Sequence, residues 1–89
     1  MKEIRYNKEK NEMLKLKRGI CFDEVCTIIK KEKVFKVINH PNQKKYPKQR
    51  IFLIKIKKYI YAIPFVEEDT YIFLKTVYPS HKYTIKYIK

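Results

Sequence analysis

The apolar positions fall into two regimes, and the change between them comes at Lys33. Before it the spacing is helical. The stretch Lys8 to Arg18 lies between Asn7, whose side chain can accept a free amide of a first turn, and Gly19, the chain's only glycine, suited to the left-handed conformation that closes a helix. Glu9 and Glu12 stand toward the positive end of that helix dipole, and Lys17 and Arg18 toward the negative end. Phe22, Val25, Cys26 and Ile29, at i, i+3, i+4 and i+7, draw one apolar stripe and predict a second helix from Phe22 to about Lys31. Asp23 and Glu24 fill its first turn, and Cys21 takes the capping position, where a thiol is a poor acceptor.

After Lys33 the period becomes two. Val34 to Ile38 reads as a strand, and His40 to Gln49 as a polar loop holding Pro41 and Pro47. Arg50 to Lys57, Tyr59 to Val66 and Thr70 to Val77 follow as three further strands, rich in β-branched and aromatic residues. The connections Lys57-Lys58 and Glu67-Glu68-Asp69 are short, which makes neighbouring strands antiparallel. Pro64 has no amide to donate and so requires a bulge, a strand end or an edge. From Pro79 to Lys89 the four-residue spacing of Tyr83 and Tyr87 fits a helix capped by Ser80, although Tyr83, Ile85 and Tyr87 also alternate as a strand would. The expected architecture is α+β: two N-terminal helices, a four-stranded antiparallel meander sheet and a short C-terminal helix, in one domain over 1–89.

Charge changes the picture most. Twenty-two Lys and Arg against nine Asp and Glu give a formal net charge of +13. Lys33 to Val66 holds nine basic residues and no acidic one, Thr70 to Lys89 four more and no acid, while the first 32 residues carry nine basic and six acidic. A field of that sign draws polyanions, and nucleic acid is the commonest of them. Nineteen of the cations are Lys, beside thirteen Ile and one Ala, and drift in an AT-rich genome produces the same profile with no ligand involved.

The longest apolar run, Tyr59 to Val66, is eight residues, too short to span a bilayer, and Met1-Lys2-Glu3-Ile4-Arg5 opens without the apolar region of a secretory signal. The expectation is a cytoplasmic protein with no membrane partner, whose Cys21 and Cys26 are free thiols, Cys26 packed in the helical stripe.

His40 and His81 stand 41 residues apart with no Cys or carboxylate at ligand spacing, so no metal site is expected. A single glycine builds no phosphate cradle or dinucleotide turn, and no cofactor is expected either. The Glu67-Glu68-Asp69 cluster reads as a solvated hairpin tip. The surface left over, rich in Lys, Tyr and His, suits RNA cleavage without metal. That reaction deprotonates the ribose 2′-hydroxyl, neutralises the pentacoordinate phosphate and protonates the departing 5′-oxygen. Lys75, His81, Lys82 and Tyr87 are the candidate catalytic residues, and Arg18, His40, Lys44, Lys45 and Arg50 the candidate RNA-binding ones. Structural roles compete for several of them. His40 can serve the loop it starts, His81 a helix start and Lys75 a sheet edge, while Tyr83 and Tyr87 can pack on the sheet.

Three segments carry a family resemblance. Lys17-Arg18-Gly19-Ile20-Cys21-Phe22-Asp23-Glu24-Val25 resembles the "KHGVSFEEA" segment of BrnT-type toxins, and Tyr6-Asn7-Lys8-Glu9-Lys10-Asn11 is similar to their opening "WDxxKN". Pro79-Ser80-His81-Lys82-Tyr83-Thr84, with Tyr87 beyond it, resembles their "(P)SxRKAT…Y" close. The sequence departs from that pattern with Arg18 for His, Cys21 for the capping Ser and His81 for Arg. The resemblance implies a RelE-like fold and a ribonuclease toxin of a bacterial type II toxin–antitoxin system that halts translation. It also implies a cognate antitoxin, a small ribbon-helix-helix protein, whose acidic segment would lie across the basic surface that RNA uses.

Overall fold

A computed structural model describes residues 2–88; Met1 and Lys89, the last residue of the final expected segment, lie outside the described residues. The chain runs β1 (Glu3–Tyr6), α1 (Lys8–Arg18), α2 (Phe22–Lys30), β2 (Lys36–Asn39), β3 (Gln49–Ile56), β4 (Tyr59–Glu67), β5 (Tyr71–Leu74), β6 (Tyr78–Pro79) and α3 (His81–Tyr87). The two leading helices end where their caps dictate. The Asn7 side chain accepts the Lys10 amide at 2.9 Å, and Gly19 closes α1 at φ 66°. Cys21 makes no capping bond. Asn11, buried on α1, holds this end instead through the first helical residues: Oδ1 accepts the Phe22 amide at 2.7 Å and Nδ2 donates to Asp23 at 3.1 Å.

The fold is α+β, but the sheet is larger than the four antiparallel strands expected. It is mixed and six-stranded, in the order β1-β5-β4-β3-β2 with β6 on β4, and β1 runs parallel to β5. β1 was not legible because its period-two signal is only Ile4 and Tyr6, and the strand it pairs with comes near the other end of the chain. The expected strand Thr70 to Val77 is cut to Tyr71–Leu74, and residues 76–77 leave the sheet before the chain rejoins β4 as β6. Pro64 marks that break. In an antiparallel strand a residue's amide and carbonyl point to the same side. The Pro64 carbonyl accepts the Lys75 amide at 2.8 Å, so its ring nitrogen also faces Lys75 and has no hydrogen to return, and the β4–β5 ladder ends at this pair.

Each sheet face has its own core. On one, α1 and α2 lay Leu14, Phe22, Val25 and Ile29 over Ile54, Ile63, Phe65, Ile72 and Leu74. On the other, α3 covers Ile51, Leu53, Ile60 and Ala62 through Tyr83. Cys26 packs at the rim of the first core, where burial pushes its thiol pKa up, and both cysteines are free. Among the described residues no helix is long and apolar enough to cross a membrane.

Candidate active site

The short β6 decides where the end of the chain goes. Pairing of Ala62 with Tyr78 and Tyr61 with Pro79, followed by the Ser80 amide donating to the Ile60 carbonyl at 2.8 Å, lays the start of α3 across β4. The Ser80 hydroxyl caps the helix by accepting the Tyr83 amide at 3.2 Å. Thr84, almost fully buried, fixes it to the sheet: its Oγ1 accepts the Ile60 amide at 2.9 Å and donates to the Ser80 carbonyl at 2.6 Å.

The other wall is the loop after β2. His40 is held on several sides. Its amide donates to the Gln49 carbonyl at 3.1 Å, its carbonyl accepts from the Gln43 side chain at 2.5 Å, and its ring lies 4.5 Å from that of Tyr46. The ring's Nδ1 accepts the Asn42 amide at 3.0 Å. An accepting Nδ1 carries no proton, so the neutral imidazole is the tautomer with its proton on Nε2, and that edge has no protein partner among the described residues. The structural role weighed for His40 is therefore present, and it leaves one nitrogen free.

Between these walls lies an open groove of about 350 Å³ lined by His40, Pro41, Ile51, Tyr78 and the α3 start, including Ser80, His81, Lys82 and Tyr83. The chain's two histidines thus line one groove, with Lys82 beside them. His81 and Lys82 are exposed, and the His81 ring makes no hydrogen bond among the described residues.

The other candidates lie elsewhere. Lys75 follows β5 and lines a separate cleft with Asn7, Glu9, Lys10, Met13 and Phe73. Tyr87 sits at the far end of α3, about 9 Å of helix rise from His81, stacked on Tyr83 at 6.3 Å and against Phe35 at 5.5 Å. Arg18 lines a cleft beside α1 with Lys17 and Thr76. Arg50 lies 3.4 Å from Glu67 and 6.0 Å from the Phe65 ring, on the sheet face that α1 and α2 cover. Lys44 and Lys45 are exposed in the His40 loop, Lys45 over Tyr46 at 5.3 Å. Sequence reasoning missed Ile51 and Tyr78 as groove residues and Asn42 as the group that fixes the His40 ring. A His-Pro-Asn turn entering a polar loop was the signal for the last, since such turns feed amides to nearby acceptors.

The charges around the groove are one-sided because the acids, not the lysines, segregate. Glu9, Glu12, Asp23, Glu24 and Glu32 belong to the α1–α2 layer, and Glu67 to Asp69 to the tip after β4, where Glu67 is held by Lys2 at 2.9 Å. The α3 side of the sheet carries Arg5, Lys36, Lys55, Lys75, Lys82 and Lys86 against Glu3 alone, which Arg5 engages at 2.9 Å. Among the described residues no three His, Cys, Asp or Glu side chains converge to hold a metal ion.

Comparison with models of protein families, with curated proteins and with solved structures gives no match. The site's chemistry therefore has to speak for itself.

Proposed function

We propose that the protein is a metal-independent endoribonuclease, the toxin of a type II toxin–antitoxin system with a RelE/BrnT-like fold, and that it cuts RNA in the histidine groove and so halts translation. One observation carries the reading: two histidines far apart in sequence line a single groove with a lysine, on the sheet side that is nearly free of acid. The three segments that resemble BrnT-type toxins support it independently.

In this reading His81, its ring free, takes the proton of the ribose 2′-hydroxyl. The 2′-oxygen attacks phosphorus while the His40 Nε2–H and the Lys82 ammonium hydrogen-bond to the non-bridging oxygens, where negative charge grows. The bond from phosphorus to the 5′-oxygen breaks, and that oxygen takes a proton from Lys82. The products are a 2′,3′-cyclic phosphate and a free 5′-hydroxyl. Lys82 then regains its proton from solvent and His81 releases its own. Lys44 and Lys45 hold flanking phosphates; Lys75 and Tyr87 lie outside the groove and take no part in the bond changes.

The partner that goes with this reading is a small antitoxin of the ribbon-helix-helix type whose acidic segment lies over the same basic side. Incubating the purified protein with RNA in EDTA tests the activity. Cleavage to cyclic-phosphate ends, and growth arrest on expression in bacteria, are expected. RNA left intact at high protein concentration contradicts the reading; if it is nevertheless bound with a steep salt dependence, the chain is a non-catalytic RNA-binding module of the same fold.

A further inference from the structure

The α3 face of the sheet is only half covered. α3 packs on β4, and its core reaches Ile51, Leu53, Ile60 and Ala62. α3 does not reach the β5–β1 half of that face, which is bordered by the start of α1, where Asn7, Glu9, Lys10 and Met13 line a cleft with Phe73 and Lys75. The pairing register shows what it carries. Ile51 on the groove floor stands opposite Pro64, whose carbonyl accepts the Lys75 amide, so Ile51, Pro64 and Lys75 form one row across three strands. The next row is Gln49, Val66, Phe73 and Arg5. Beyond it comes Tyr71, with the Arg5 guanidinium 4.1 Å from its ring centroid. The Lys75 ammonium lies 5.7 Å from the Phe73 ring.

We propose that Arg5, Tyr71, Phe73 and Lys75 form a track for single-stranded RNA leading away from the histidine groove. The choice of RNA as occupant rests on the ribonuclease reading of that groove. Lys75 is two strand spacings, about 10 Å, from the groove floor, and Tyr71 lies about 13 Å further along β5. That path suits about four nucleotides, the low end of single-strand binding sites. Rings at i and i+2 stand about 7 Å apart on one face, far enough for each to meet a separate base. The guanidinium over Tyr71 offers a second flat cationic surface for stacking. An acidic peptide satisfies the cations equally well, whereas RNA also brings bases that stack on the rings, and this difference favours RNA. Two acids stand beside the track: Glu3 occupies the Arg5 Nε at 2.9 Å, and Glu9 lines the cleft of Phe73 and Lys75 together with Lys10. The track ends at the acidic tip of Glu67, Glu68 and Asp69, which repels phosphate.

The test uses fluorescein-labelled 2′-O-methyl oligouridylates, whose blocked 2′-oxygen prevents cleavage, as a dinucleotide and an octanucleotide. Phe73→Ala and Arg5→Gln are each expected to weaken octanucleotide binding about tenfold and to leave dinucleotide binding unchanged, while Glu3→Gln strengthens octanucleotide binding. The proposal is overturned if both weakening variants, with the wild-type melting temperature, bind the octanucleotide as the wild type does. It is equally overturned if polyglutamate binds the wild type more tightly than the octanucleotide and loses that affinity in Arg5→Gln, an outcome that assigns the strip to an acidic protein. Cleavage of an unmodified dinucleotide reports on the groove alone. Its absence alongside Phe73-dependent octanucleotide binding refutes the ribonuclease and keeps the track, and the reverse pair of results does the opposite.

Discussion

Asn11 supports the start of α2 from the neighbouring helix, at an amide that a cap at position 21 would not reach. Its buried carbonyl oxygen takes the amide of Phe22, the first helical residue, and its amide steadies Asp23. The weak cap was legible in the sequence, but its remedy was not, because the remedy comes from the neighbouring helix. Asn11→Ala leaves a buried amide without an acceptor, which costs about 1–3 kcal/mol. A thermal melt is expected to fall by on the order of 10 °C; an unchanged melt contradicts the assignment. The same cluster sets the pH range of stability. Hydrogen bonds from the Tyr6 hydroxyl, at 2.5 Å, and from Asn11 hold the Asp23 carboxyl below its usual range. The stability it lends is present above about pH 4 and is lost as pH falls through the lowered value. The bond to Asp23, and then burial, push the Tyr6 phenol up to about 12. Its contribution is complete below about pH 10, where the unfolded chain's phenol ionises, and is lost as pH rises through that higher value. Tyr6→Phe removes the phenol's contribution and the largest of the bonds that hold Asp23 down, so a plot of melting temperature against pH is expected to become shallower on its acid and alkaline arms alike.

Among the elements, α1 and α2 could be read nearly to the residue because their caps and their 3.6 period are local properties. α3 was legible for a similar reason, Ser80 being a strong cap. β1 and the β5–β6 break were not, since both depend on pairing between distant segments. Pro64 did announce an interruption without saying on which side of β4 it would fall. The element on which the site depends is α3, a helix of seven residues whose hold on the sheet is concentrated in Thr84, Ser80 and Tyr83. Thr84→Val keeps the shape and removes the side-chain acceptor of the buried Ile60 amide, a loss of about 1–3 kcal/mol. Hydrogen exchange is expected to quicken first at residues 81–87, with RNA cleavage falling in step while α1 and α2 stay protected. Uniform loss of protection across the molecule would show that α3 is not a separately loosened element.

At the scale of the whole molecule the charge of the sequence raised the expectation of a polyanion partner, and the structure places every acid but Glu3 in the α1–α2 layer or at the tip after β4. The site itself was half legible. His81 and Lys82, two of the expected catalytic residues, line one groove, and His40, expected among the RNA-binding residues with Arg18, Lys44, Lys45 and Arg50, stands on its opposite wall because the β6–β4 pairing brings the start of α3 there. Lys75 shared a sequence neighbourhood with His81 but follows a strand that leaves the sheet before α3 begins, so the fold parts them. The claim on which the account turns is that the two histidines act together on one phosphodiester. The most direct measurement is RNA cleavage in EDTA by His40→Ala, His81→Ala and the double variant, each checked for an unchanged melt. His81→Ala is expected to lose about 10²–10⁴ in rate and His40→Ala a smaller but clear factor, with the double variant little worse than His81→Ala alone. Cleavage at the wild-type rate by the folded double variant would contradict the account.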